Sequence, residues 1–361
     1  HEIAKEEGLS DLKAYLMLED GSVYAGTAAG KFKETVFETV FNTSMTGYVE
    51  LLSDPSNKGL GVIMTYPLIG NYGVCLEDME SDKLYPSALL VHELCDTPSN
   101  FRCEMTLEDF LNKYDIPCVK DLDTREIVMN IRDNGTMRAI ITDDISDKDA
   151  LMAKIKAFDS QALPVEEAKK EVVSTEGIPV AFIDLGARKS SAESFADKGF
   201  AVTKYNADFT ADEILNSGVE GVVISNGPEI FTAFDGVVAE IKKIMDAGMP
   251  VFAIGLGHQL VAKANGGKVE KMLYGHRGAN LPVKFTAADE TYITTHNHGY
   301  TVAENSIPAN AEALCVNVND GTVEGLKYEK AITVQFIPDT ARGHNTSFLY
   351  NDFAKMIKEG K

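Results

Sequence analysis

The hydrophobic pattern divides the chain into two regimes. From residue 178 onward, residues 179–184, 200–205, 221–225 and 250–254 are runs of Val, Ile, Ala and Phe. Their lack of polar alternation is the pattern of strands covered on both faces. Helical periods separate them: a stretch to Lys198, a second opened by the capping signature Thr210-Ala211-Asp212-Glu213, and a third from Phe234 to Ala247 ended by Gly248. This repetition predicts a doubly wound, mainly parallel sheet, whose ligands bind at the carboxyl ends of its strands.

Between Leu12 and about Asp144 the pattern is mixed α+β. A strand at 14–18 is followed by the turn Glu19-Asp20-Gly21-Ser22 and a second strand around Val23-Tyr24-Ala25. Later, Thr106 can cap a helix whose Leu107, Phe110 and Leu111 share one face. The intervening residues read as a linker. Ser146 and Asp149 form a weak capping box, Leu151, Ile155 and Phe158 lie on one side of the helix it opens, and a charged segment follows Pro164. The expected organisation is therefore residues 11–145, a linker at 146–177, and residues 178–361; residues 1–10 carry none of the motifs.

Length and composition narrow the class. A chain of 361 residues, 44% hydrophobic and 25% charged, supports two domains with sizeable cores. Its net charge of −21 repels phosphate backbones and argues against nucleic acid as a partner. No apolar run approaches the ~20 residues that span a bilayer, and no signal peptide opens the chain, so a cytoplasmic location is expected. Cys75, Cys95, Cys103, Cys118 and Cys315 are odd in number and include no C-x-x-C, which excludes a full disulfide framework and disfavours a Cys-rich zinc site.

Two strand ends carry the candidate chemistry. One runs into Ser225-Asn226-Gly227-Pro228, a tight turn exposing backbone N–H groups. The other runs into Gly255-Leu256-Gly257-His258-Gln259-Leu260, the layout of a nucleophile elbow: strand, cramped turn at positive φ, then a helix N-terminus able to stabilise an oxyanion. Its central position is Gly255, which has no side chain with which to attack. On these residues alone, an ordinary strand-to-helix turn explains the segment as well.

The segment 250–260, with Asn297-His298-Gly299-Tyr300 and Val334-Gln335-Phe336-Ile337-Pro338, resembles the class I glutamine amidotransferases. Phe41-Asn42-Thr43-Ser44-Met45-Thr46-Gly47-Tyr48, the segment 65–73, Ser99-Asn100-Phe101-Arg102 and Asp123-Thr124-Arg125 narrow the resemblance to the small subunit of carbamoyl-phosphate synthase. It covers nearly the whole chain, from Leu12 to Phe353.

The resemblance implies an amino-terminal domain specific to that subunit, followed by an amidotransferase domain. It also implies a large ATP-consuming synthetase subunit as partner, to which ATP and magnesium would belong; no cofactor or metal is expected in this chain. In that family a Cys nucleophile, a His base and a Glu orienting the His hydrolyse glutamine. Carried over, these positions fall on Gly255, Ile337 and Asp339, none of which is the required residue. The family's Asn-Gly-Pro-Gly turn reads Asn226-Gly227-Pro228-Glu229, placing a carboxylate where it would repel that of glutamine. Glutamine-contacting positions that remain are Ser44, Gly227, Leu256, Gln259, Asn297, Gly299 and Tyr300.

The expectation is a structural and regulatory subunit of an ammonia-using complex. The alternatives are glutamine hydrolysis through other residues, His258, His296 and His298 being the ones to consider, or a module that senses glutamine in the residual pocket. His296-Asn297-His298 has no carboxylate nearby in sequence and is weak ground for a metal site.

Overall fold

The structure, a computed structural model, describes residues 12–166, 169–338 and 346–360. The described residues fall into two compact units, divided between Ser160 and Gln161.

In the first unit a positive φ of 89° at Gly21 lets β1 (Lys13–Leu18) turn directly into β2 (Val23–Gly30). These strands join β3 (Thr35–Asn42), β4 (Leu60–Met64), β5 (Ala88–Leu90), β6 (Pro117–Lys120) and β7 (Met137–Thr142) in a closed barrel of order β1-β2-β6-β5-β4-β3-β7. Closure comes from the antiparallel pairing of β1 with β7, Leu16 opposite Ile141. The helix Leu107–Lys113 buries Leu107, Phe110 and Leu111 against the barrel, and Thr106 caps it by accepting from the Asp109 N–H.

The helix expected at the start of the connector is present at Lys148–Ala157, with Asp147 rather than Ser146 as its cap: the Asp147 carboxylate accepts from the Ala150 N–H at 2.9 Å. Leu151 and Ile155 pack on Met17 and Ile140, so this helix belongs to the first unit and is not a solvated spacer.

The second unit is built on a sheet of β8 (Glu171–Val172), β9 (Ile178–Ile183), β10 (Phe200–Tyr205), β11 (Gly221–Ile224), β12 (Val251–Ile254), β13 (Val269–Phe285), β14 (Glu290–Val302), β15 (Ala311–Asn317), β16 (Val323–Tyr328) and β17 (Ala331–Val334). Their order is β8-β10-β9-β11-β12-β17-β16-β15-β13-β14. The strands from β10 to β17 are parallel, and the flanking pairs are antiparallel.

Alternate residues of the parallel strands enter opposite cores, which explains their unbroken apolar runs. Ala181, Ile183, Val222 and Ile224 meet the helices 211–215, 235–246 and 256–264. Val180, Phe182, Val223 and Phe252 meet the helices 189–197 and 348–359, where Phe195, Tyr350 and Phe353 form an aromatic cluster. This is a doubly wound α/β unit, with the carboxyl ends of β11, β12 and β17 side by side.

Candidate active site

The turns after β11 and β12 are set by three glycines with distinct requirements. Gly255 sits at φ 55°, ψ −115°, a conformation L-residues rarely adopt, and its N–H donates to the Val334 carbonyl at 2.9 Å. Gly257 donates to the Ser225 carbonyl, and a Cβ there would lie 2.4 Å from the Ile224 carbonyl oxygen, so only glycine lets the helix Leu256–Ala264 sit on the end of β11. A Cβ on Gly227 would lie 2.2 Å from the Leu185 carbonyl oxygen. Strand, positive-φ turn and helix thus form the elbow geometry, with a hydrogen atom at the position where a side chain would project.

Glu229 occupies the space beside this turn. Its Oε2 accepts from the Gly299 N–H at 2.6 Å, and its Oε1 accepts from Gln259 Nε2 at 2.7 Å and the Tyr300 N–H at 3.2 Å. Burial raises its pKa, against the opposing charge of Arg277 and the three donors. Gln259 Nε2 also lies 3.0 Å from the Tyr300 carbonyl and 3.1 Å from Gln335 Oε1, and the Tyr300 ring stacks edge-on against Phe231. Glu229 therefore does more than repel an incoming carboxylate: it is itself seated on the donors.

Of the substrate-contacting residues expected from sequence, Gln259, Gly299 and Tyr300 converge on this one carboxylate. Gly227 lies two residues before it in the same turn, and Leu256 is the first, buried, residue of the elbow helix. Asn297 lies on β14 opposite Arg277 of β13. Ser44 belongs to the first unit, where it follows β3 and donates its N–H to Asn42 Oδ1 at 2.8 Å. Ile337 follows β17, its N–H bonded to the Thr295 carbonyl. Asp339 lies outside the described residues.

The candidate substitute residues are buried away from such a role. His258 is fully buried, with Nδ1 2.8 Å from Thr333 Oγ1, and burial holds its pKa at about 3. His296 and His298 are also buried, and desolvation first, then neighbouring imidazole charge, keeps both well below the ordinary range. All five cysteines are free thiols: Cys315 is buried in β15, and the other four belong to the first unit.

Sequence reasoning missed the surroundings of these histidines. β13 pairs His276 with His298 across the ribbon, and β16 brings in Glu324, so the carboxylate absent from the local sequence arrives from another strand. A lone acid inside the apolar run Val323-Glu324-Gly325 was the available signal.

The doubly wound sheet and its elbow define the second unit as a class I glutamine amidotransferase domain, and residues 181–356 match the family described as glutamine amidotransferase class-I. Residues 16–141 match the carbamoyl-phosphate synthase small chain, CPSase domain. Across 349 residues the chain is 42% identical to the carbamoyl phosphate synthase small chain of Clostridium perfringens, covering 95% of this chain and 99% of that one. It is 38% identical to the small chain of Archaeoglobus fulgidus over 358 residues, covering 96% and 99%. The chain belongs to the carbamoyl-phosphate synthase small-chain family.

Proposed function

We propose that this chain is a carbamoyl-phosphate synthase small subunit that no longer hydrolyses glutamine and serves as a structural and regulatory partner of the large, ATP-dependent subunit, with free ammonia as the nitrogen donor. The observation that carries this reading is the pair formed by Gly255 at the elbow and the Glu229 carboxylate on Gln259, Gly299 and Tyr300.

Hydrolysis of a carboxamide by covalent catalysis needs a nucleophile, a proton acceptor for it and donors for the oxyanion. Gly255 offers no nucleophile. Ile337, at the position the resemblance gives to the base, cannot accept a proton. The donors at 299 and 300, which the resemblance places against the substrate, are engaged by an internal carboxylate, so a substrate carboxylate would have to displace a partly buried, hydrogen-bonded group. The same occupancy disfavours a glutamine sensor. What stays intact is the framework of both units, as expected where the selected property is assembly rather than turnover.

The test is reconstitution with the cognate large subunit, comparing ammonia and glutamine as donors for carbamoyl phosphate. The expected result is a complex on gel filtration and an ammonia-supported rate changed by this chain, without glutamine-supported synthesis. Failure to form the complex, or synthesis from glutamine, would contradict the proposal.

A further inference from the structure

Behind the elbow, β13, β14 and β16 bring His276, His296, His298 and Glu324 together, all buried, with one donor atom of each within 4.8 Å of the others. The surrounding hydrogen bonds decide which ring nitrogens face inward. His298 Nδ1 lies 2.9 Å from the Tyr300 carbonyl, which can only accept, so Nδ1 carries the proton and Nε2 presents a lone pair. Thr294 Oγ1 donates to the Leu281 carbonyl at 2.9 Å and therefore accepts from His296 Nε2 at 2.7 Å, leaving His296 Nδ1 with a lone pair.

These two lone pairs face each other across 3.1 Å. Glu324 Oε2 lies 3.6 Å from His296 Nδ1 and 3.5 Å from His298 Nε2, buried and without a hydrogen-bond partner. Three acceptors converging with no donor among them call for a cation. Their separations match those of ligands around a tetrahedral ion with bonds of about 2.1 Å, for which donor–donor distances are roughly 3.4 Å.

We infer that His296 Nδ1, His298 Nε2 and Glu324 Oε2, completed by His276, form a closed site for one divalent transition-metal ion of the zinc class. Imidazoles with a carboxylate suit such an ion better than calcium or magnesium, which favour all-oxygen sets. His276 joins by turning Nδ1, now 2.8 Å from Glu324 Oε1, to the ion, while Nε2–H remains on Asp320 Oδ2 at 2.9 Å. Asp320 is then the outer carboxylate that fixes the ring. Asn317 Nδ2 holds Glu324 Oε1 at 3.0 Å in the same way. A divalent ion with the carboxylates of Glu324 and Asp320 sums to zero charge, which suits a buried site. Burial on every side makes its role the pinning of the β13–β14 ribbon that carries Gly299 and Tyr300.

The test uses the full chain, stripped with a chelator and titrated with zinc or cobalt(II), both folded and during refolding. One ion per chain is expected, with the visible absorption of four-coordinate cobalt and a higher unfolding temperature. His296→Gln should abolish the absorption, whereas His92→Gln, outside the cluster, should leave it unchanged. Should His296→Gln fail to fold, Asp320→Asn keeps all four ligands and should weaken binding by about 10–100-fold. Absence of stoichiometric binding in the wild type, or binding indifferent to Asp320→Asn and His296→Gln, would overturn the site and point to a proton shared between the two rings.

Discussion

Two residues, Gly255 and Glu229, carry the proposed loss of glutamine hydrolysis. Gly255 keeps a backbone conformation that costs an L-residue free energy, although nothing projects from it. Gly255→Cys should therefore destabilise the second unit by roughly 1–2 kcal/mol in denaturant titration, the Cβ meeting that of Asn226 at 3.0 Å, and should yield no glutamate because Ile337 cannot act as base. Glu229 is the other. Glu229→Gly removes the internal acceptor and frees the Gly299 and Tyr300 N–H groups from it, at a cost of roughly 1–3 kcal/mol because Arg277 loses a countercharge. Calorimetry should show no heat of glutamine binding to the wild type and measurable heat for this variant. Silence in both would mean that Glu229 is not what closes the pocket.

At the scale of elements, legibility followed burial. The strands β9, β11 and β12 were readable because both faces are covered and the sequence carries no competing alternation. The turn after β12 was readable from its glycines as a strand-to-helix turn, and as an elbow only through the family resemblance. The 17- and 13-residue strands of the β13–β14 ribbon were not, because polar residues and two register shifts break their period. The seat of Glu229 was equally hidden, its partners Gly299 and Tyr300 lying 70 and 71 residues away on that ribbon. Closure of the barrel depends on pairings no local pattern displays, and one of them carries a charge. Glu19 follows β1 and is ion-paired to Arg138 of β7, whose hydrogen bond is the main cause lowering the Glu19 pKa from 4.5. A depressed carboxyl pKa contributes stability above the unfolded value that is lost as pH falls through the folded one. With both side chains about one-third exposed, Glu19→Gln should cost roughly 0.5–1 kcal/mol at pH 7, and the difference from wild type should fade as pH falls from 4.5 through the lowered folded value, to disappear at a pH well below both. Urea midpoints measured at pH 7 and at that low pH would show it; a constant difference would mean the charge is irrelevant.

For the whole molecule, the proposed loss of glutamine hydrolysis rests on a contrast between a framework matched over nearly the full chain and a centre with Gly255 at its elbow. Both family regions are matched, and identity of about 40% runs over nearly the full chain. Against that background Gly255, Glu229 and Ile337 stand at three separate places in the sequence, and the proposed reading takes them together as divergence of the centre as a whole rather than a single lesion. On the proposed reading no single substitution restores glutamine hydrolysis: Gly255→Cys, Ile337→His, Asp339→Glu and Glu229→Gly would have to be combined. The most direct measurement is glutamate release from glutamine by the intact chain with its large subunit present. None above the uncatalysed background is expected, while ammonia supports carbamoyl phosphate formation in the same mixture. Glutamate release at the rate of an ordinary glutaminase would contradict the proposal.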